Sequence, residues 1–179
     1  MTTPGVRRPS RTDHPLSIYL RDHFAGSAAG IALVQRCRRA NADTGLGGVL
    51  ADIETEIVED RRALEAIMAR LGVTPSAFKA AVGRFGEVIA RLKSNGRILR
   101  RSPSSTVVEL EGLAAGIVTK RNLWSSLRAA TLTHAGLDVA ELDRLVARAT
   151  AQLERVEAEH DRAAEHAFGP IEQRVSAGG

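Results

Sequence analysis

One pair of side chains in this sequence has the spacing of a metal-binding motif, Glu157 and His160. Residues three apart on a helix share a face, so this carboxylate and imidazole can reach one ion. If the chain doubles back near residue 136, Glu111 lies level with residue 161 and meets the same pair. Glu111, Glu157 and His160 are therefore the candidate metal ligands, with iron or manganese as the ion.

A di-metal site needs more ligands than this pair. In a four-helix bundle it takes a Glu from each of two helices and a Glu-x-x-His pair from each of the other two. Here Glu56 is followed at the third position by Glu59, where a histidine is needed. His23 would lie about 20 Å from Glu111 along the bundle, whereas paired ions lie ~3.5–4 Å apart. The pattern disfavours a full di-metal oxidase or storage site.

The middle of the expected bundle carries small residues and one lysine. The small residues suit close approach of two helix backbones and not coordination: Ser27, Gly30, Ala115 and Gly116. Lys120 lies near the same level, where its ammonium can pair with Glu56 or Glu59 and replace the charge of a metal ion. On this hypothesis, Lys120→Met destabilises the fold.

The other carboxylates are interpreted as solvated faces and as ion pairs within single helices. Glu56 is placed to pair with Arg61, and Glu154 lies beside Arg155. His23 falls on an apolar stripe, where a histidine is more often a hydrogen-bonded core residue than a ligand.

A basic cluster follows the third expected helix and forms a candidate anion-binding patch: Arg91, Lys93, Arg97, Arg100 and Arg101. Three arginines near the N-terminus could extend it. Surfaces that bind nucleic acids usually add stacking aromatics, and this patch contains none. A solvated basic loop is the favoured interpretation, and binding to DNA or RNA is the alternative.

Composition limits the class of protein. A chain of 179 residues suits one domain, and 44% apolar with only 3% aromatic residues favours helices over strands. The net charge of +4 permits an acidic partner without requiring one. Cys37 is the only cysteine and is expected to be a buried apolar side chain. No apolar run approaches the ~20 residues of a membrane span and no signal peptide is evident, so we expect a cytoplasmic protein with no membrane partner.

Hydrophobic periodicity predicts four long helices, over residues 15–40, 48–71, 104–132 and from 138 to about 168, and a shorter one over 75–93. Gly72 has the character of a residue that ends a helix, and Asp138 with Glu141 that of a capping box. Short turns make each pair of long helices an antiparallel hairpin, with the shorter helix in the long crossover. Residues 1–14 and 169–179 are expected to be flexible tails around one domain, residues 15–168.

Three stretches suggest a family. Tyr19 to Ser27, Glu56 to Arg61 and Val108 to Leu113 resemble the ferritin-like superfamily, and in particular small ferritin-like bundle proteins of high-G+C (actinobacterial) bacteria. The resemblance covers residues 15–167 in layout and implies an antiparallel four-helix bundle. A short internal repeat agrees with two related hairpins, because Ala28-Ala29-Gly30-Ile31 recurs as Ala114-Ala115-Gly116-Ile117.

The resemblance carries no activity to transfer, and the sequence shows no nucleophile with an evident base. The leading hypothesis is therefore a non-catalytic helical-bundle protein that acts through self-association or a protein partner. A metal-binding ferritin-like protein is the second hypothesis, and a nucleic-acid-associated protein is the third.

Overall fold

The computed structural model describes residues 15–75 and 103–170. Within these ranges the chain forms four α-helices and no β-strand: α1 (Pro15–Ala40), α2 (Gly45–Arg70), α3 (Pro103–Ala129) and α4 (Val139–Phe168). The predicted all-α class and the four long helices are confirmed. The shorter helix expected over 75–93 lies outside the described residues, as do the tail at 1–14 and all but the first two residues of the tail at 169–179.

Local sequence signals explain where two of the helices end and begin. After α2, Gly72 has a φ of 67°, in the left-handed region that glycine enters without steric cost. Before α4, the Asp138 carboxylate accepts hydrogen bonds from the backbone N–H groups of Ala140, at 2.8 Å, and Glu141, at 3.3 Å. The N-cap half of the predicted capping box is therefore confirmed, while the Glu141 side chain instead pairs with Arg70.

Contacts between helices establish their directions. α1 packs against α2, and α3 against α4, as two antiparallel hairpins. Arg36 near the end of α1 pairs with Glu109 near the start of α3, at 2.8 Å. Tyr19 near the start of α1 donates to Ser126 near the end of α3, at 3.4 Å. α1 and α3 are therefore also antiparallel, as the sequence predicted.

The end of α2 and the start of α3 lie at opposite ends of the bundle. The Arg70–Glu141 pair places the end of α2 beside the start of α4, at the end of the bundle where α1 begins. Pro103 lies at the opposite end, because α3 starts beside the end of α1. Residues 76–102, which connect α2 and α3 in sequence, lie outside the described residues, so the long crossover stays a prediction.

A single core joins the four helices. Its largest fully buried side chain is that of Trp124, and the Cys37 side chain is buried in it, as predicted. No helix in the described ranges has the length and apolar character required to cross a bilayer. The fully buried members of the core come from every helix: Leu20, Leu50, Ile53, Ile67, Leu113, Leu123, Leu127 and Leu142.

Candidate functional site

A charged cluster lies in the middle of the bundle, with Asp60 of α2 at its centre. The Asp60 side chain is only 2% exposed. Its Oδ2 accepts hydrogen bonds from Lys120 Nζ and from Gln152 Nε2, the latter at 3.2 Å. Its Oδ1 accepts from Arg148 Nε at 2.8 Å. Both oxygens are thus bonded, which is what makes the burial of a carboxylate tolerable.

Lys120 of α3 supplies the innermost positive charge. Its ammonium donates to Asp60 and, at 2.5 Å, to Gln152 Oε1, and its side chain is 16% exposed. Burial lowers the pKa of Lys120, and the charge and hydrogen bond of Asp60 oppose that shift. The predicted salt bridge of Lys120 is confirmed, but the predicted partners, Glu56 and Glu59, were wrong because Asp60 is the carboxylate that points inward.

Those two glutamates are held instead by arginines of α4. Arg155 donates to Glu56 at 2.5 Å, and Arg148 donates to Glu59 at 3.0 Å. Burial raises the pKa of Glu56, but hydrogen bonds and the charge of Arg155 outweigh burial, so the pKa lies below its usual value. The pairing of Arg155 with Glu154 was therefore wrong, since this arginine reaches across to α2.

A cleft of about 430 Å³ lies between the middle of α1 and the middle of α3. A Cβ built on Gly30 or on Gly116 would meet no other atom within 4 Å. The prediction that small residues bring these backbones together was therefore wrong. The small residues in the middle of the two helices leave this space open. Larger buried side chains lie toward both ends: Leu20, Val34, Leu110 and Trp124.

The wall of the cleft includes Trp124, whose indole N–H is buried. The residue lines the cleft and is 1% exposed. Its indole Nε1 is buried and has no hydrogen-bond partner among the residues that the structure describes. Buried indole N–H groups usually find a partner, and leaving one unsatisfied costs about 1–3 kcal/mol.

Arg61 also lines the cleft. Its Nη1 donates to the carbonyl oxygen of Phe24 at 2.6 Å and to the hydroxyl of Ser27. Its guanidinium carbon lies 3.8 Å from the centroid of the Phe24 ring, in a cation–π contact. Burial lowers the pKa of Arg61. The predicted pairing of this arginine with Glu56 was wrong, because the guanidinium turns toward α1.

His23 lies at the same end of the cleft and packs edge-on against Tyr19, with ring centroids 4.5 Å apart. Burial lowers the pKa of His23 below its ordinary 6.5, while the charge of Asp22 opposes the shift, so the imidazole is neutral at pH 7. The sequence predicted a hydrogen-bonded core histidine. In the structure His23 is half-buried and contacts the Tyr19 ring.

The structure brings together two of the three predicted metal ligands. His160 Nε2 lies 3.5 Å from Glu111 Oε1, at the matching levels that the sequence predicted, and Glu157 is exposed to solvent. Across residues 15–75 and 103–170, no group of three or more His, Cys, Asp and Glu side chains is arranged to hold an ion. The three-ligand site stays a prediction, and the basic patch at 91–101 lies outside the described residues.

Sequence reasoning missed the residues that build the central cluster, although a signal was present. Asp60 follows Ile57 by three positions and precedes Leu64 by four, so it falls on the apolar stripe of α2. Gln152 occupies the equivalent inward position on α4 and is fully buried. Polar residues on an apolar stripe require a buried partner, and these two share one, Lys120.

Comparisons of the chain with protein-family models, with curated proteins and with solved structures gave no match. Its function is therefore inferred from two neighbouring features of the bundle. One is a cluster in which every buried charge is paired. The other is an apolar cleft between α1 and α3, lined at one end by Arg61 and Lys120.

Proposed function

We propose that the protein is a non-catalytic, ferritin-like helical bundle that acts in the cytoplasm through self-association or a protein partner. The observation that carries this proposal is the Lys120 ammonium between Asp60 and Gln152. A metal at the waist of the bundle needs free carboxylate oxygens from several helices. The one fully buried aspartate there has both oxygens bonded to protein donors, so lysine supplies the charge that a metal ion would bring.

The order of the helices supports the ferritin-like assignment. Two antiparallel hairpins joined by one long crossover are the arrangement of that class of bundle. The internal repeat supports it further, since Ala29 and Gly30 of α1 and Ala115 and Gly116 of α3 line the same cleft. Equivalent positions of two related hairpins would be expected to face each other in this way.

Exposed apolar side chains at the ends of the bundle support the association part of the proposal. Leu132, in the turn between α3 and α4, is 96% exposed, and Ile18 and Val139 are exposed at the same end. Val108 and Phe168 are exposed toward the opposite end. A contiguous apolar surface marks a contact site more often than single exposed residues do, and we propose that the residues at the end that carries Leu132 form such a surface.

Light scattering over a range of protein concentrations tests self-association. We expect a mass above that of one chain, and we expect Leu132→Asp to shift the population toward monomer. Ala135→Asp is the matched control, because it places the same charge in the same exposed turn without removing a large apolar side chain. A strict monomer at every concentration would contradict self-association.

Elemental analysis tests the proposal that Lys120 takes the place of a metal ion. Protein purified without chelators is expected to carry far less than one iron or manganese ion per chain, and its melting temperature is expected to be unchanged by EDTA. Near two tightly held ions per chain would contradict the proposal.

One observation favours a second candidate, a metal-binding protein with Glu111, Glu157 and His160 as ligands. His160 and Glu111 already lie 3.5 Å apart on facing helices. Titration with Mn²⁺ or Fe²⁺, followed by calorimetry, would then show one site per chain that His160→Ala removes. An unchanged titration in that variant would rule this site out.

A further inference from the structure

The cleft between α1 and α3 has the dimensions of a site for an elongated small molecule. Its lining runs from His23 to Arg36 on α1 and from Gly112 to Trp124 on α3, which is about 18–20 Å at 1.5 Å per residue. The volume of about 430 Å³ falls within the ~300–1,000 Å³ of typical ligand pockets. A modest volume spread over this length describes a slot, which suits an extended molecule better than a compact one.

Hydrogen-bond donors collect at one end of this slot. Trp124 and Lys120 lie one helical turn apart on α3, and Arg61 of α2 lines the same cleft. The Trp124 indole N–H has no partner among the described residues. Lys120 has three N–H donors, of which Asp60 and Gln152 use two. The remaining N–H of Lys120 can therefore donate to an incoming group at this end, whereas the Trp124 N–H is buried within the wall.

The charges that line the slot favour an acceptor that is also an anion. The charged residues that line the slot are three cations, Arg36, Arg61 and Lys120, and one carboxylate, Asp60. Both oxygens of Asp60 are already bonded. Arg36 lies at the far end and pairs with Glu109. Arg61 bonds only to a carbonyl and a hydroxyl oxygen within the described residues. Arg61 forms no salt bridge among the described residues, although the charge of Glu65 acts on it, so the positive charge that no salt bridge offsets lies at the donor-rich end.

The rest of the slot is apolar. Gly30 and Gly116 leave open space where side chains would otherwise meet. The walls around them come from α1, α2 and α3: Ala29, Leu33, Ile57, Leu113 and Ile117. This part of the cleft offers burial to a hydrocarbon body and no hydrogen bond to a polar one.

We propose that the α1–α3 cleft binds an elongated apolar carboxylate of the fatty-acid class. The carboxylate pairs with Arg61 and accepts a hydrogen bond from Lys120, and the hydrocarbon chain lies between Gly30 and Gly116, with the Trp124 ring on the same wall. This site goes beyond the association proposed above and does not depend on it, because the exposed apolar residues at the bundle ends are not part of the cleft.

Trp124 is the only tryptophan in the chain, so its fluorescence reports on this site alone. Dodecanoate, titrated into the full-length protein below its micellar range, is expected to change that fluorescence saturably with one site per chain. Dodecanol and dodecyltrimethylammonium have the same tail with a neutral and a cationic head. Both are expected to bind at least tenfold more weakly than the carboxylate.

Two variants separate the two halves of the site. Gly116→Leu fills the slot and is expected to weaken dodecanoate binding at least tenfold, while the melting temperature is kept because the added Cβ meets no atom. Gly48→Leu is the control, since Gly48 is equally open but lies outside the cleft. Arg61→Gln is expected to weaken binding of dodecanoate and to leave that of dodecanol unchanged.

Three results would overturn the proposal. The first is the absence of any saturable response to dodecanoate, as would follow if another part of the chain or a second copy filled the cleft. The second is unchanged binding by a folded Gly116→Leu variant. The third is equal affinity for dodecanoate and dodecanol, which would remove the carboxylate from the site. Neither light scattering nor metal content enters these results, so the two proposals can fail separately.

Discussion

The two sides of this bundle handle a gap between helices in opposite ways. α2 and α4, like α1 and α3, contact each other less closely than the helices within each hairpin do. Between α2 and α4, the gap is bridged by the long side chains of Arg148 and Arg155, which reach the carboxylates of α2. Between α1 and α3, residues such as Gly30 and Gly116 carry nothing that could cross it.

This difference shows what determines whether an interhelical gap becomes structure or a site. Charged side chains on both walls close a gap with ion pairs, because a buried charge without a partner is strongly unfavourable. Small apolar residues impose no such demand, so the gap between α1 and α3 stays open. Lys120 belongs to both regions, since it lines the cleft and bonds to Asp60.

The largest effect on stability is expected in the charged cluster around Asp60. Asp60→Asn removes the charge that Lys120 and Arg148 share, and it should lower the free energy of unfolding by about 3–5 kcal/mol, measured by urea denaturation. Glu59→Gln is the control, because Glu59 pairs with the same arginine but is half exposed; it should cost under about 1 kcal/mol. Equal losses in the two variants would show that Asp60 has no special role.

Lys120→Met should follow with a loss of about 3 kcal/mol. Asp60 loses its lysine in this variant but keeps Arg148, and the methionine fills much of the space of the lysine stem. Thermal unfolding by circular dichroism measures the change. A melting temperature equal to that of the wild type would contradict the inferred role of Lys120.

Two glycines compare the open cleft with a tightly packed turn. Gly47→Ala should destabilise the protein by about 1–3 kcal/mol, because its Cβ would overlap the carbonyl oxygen of Asn41. Gly116→Ala should instead stabilise it by about 0.5–1 kcal/mol, since alanine replaces glycine inside a helix with free space around it. Urea denaturation of both variants gives the sign, and a loss of stability in Gly116→Ala would mean that the cleft is filled.

The smallest effect concerns pH. Burial holds the pKa of His23 below 6.5, so the folded protein binds a proton there more weakly than the unfolded chain does. The free energy of unfolding is therefore unaffected by His23 above pH 6.5 and decreases as the pH falls below that value. His23→Gln should show a smaller drop in melting temperature between pH 7.5 and pH 5. An identical drop in both proteins would show that His23 is not perturbed.

Local signals predicted the described part of the fold well. The glycine after α2, the aspartate before α4 and the short turns were sufficient to give helix ends and antiparallel order. The same levels along the helices placed His160 beside Glu111. These features depend on residues near each other in sequence or on the constant rise of a helix, and both can be read without a structure.

The cleft could not be predicted in the same way. A glycine on a helix face permits close packing or leaves space, and the distance between the axes decides which. That distance depends on larger side chains elsewhere along the helices, including Trp124. The inward position of Asp60 could be predicted from its spacing. Its pairing with Lys120 and Arg148, and not with the adjacent Arg61, depends on the three-dimensional packing of α2, α3 and α4.

The inferred role of the charged cluster around Asp60 requires that Asp60 and Lys120 stabilise the fold jointly. A double-mutant cycle with Asp60→Leu and Lys120→Met, measured by urea denaturation, tests this directly. The account predicts that the double variant is less destabilised than the sum of the single variants, with a coupling of at least about 1 kcal/mol, within the range for residues in one network. Additivity within about 0.3–0.5 kcal/mol would contradict it.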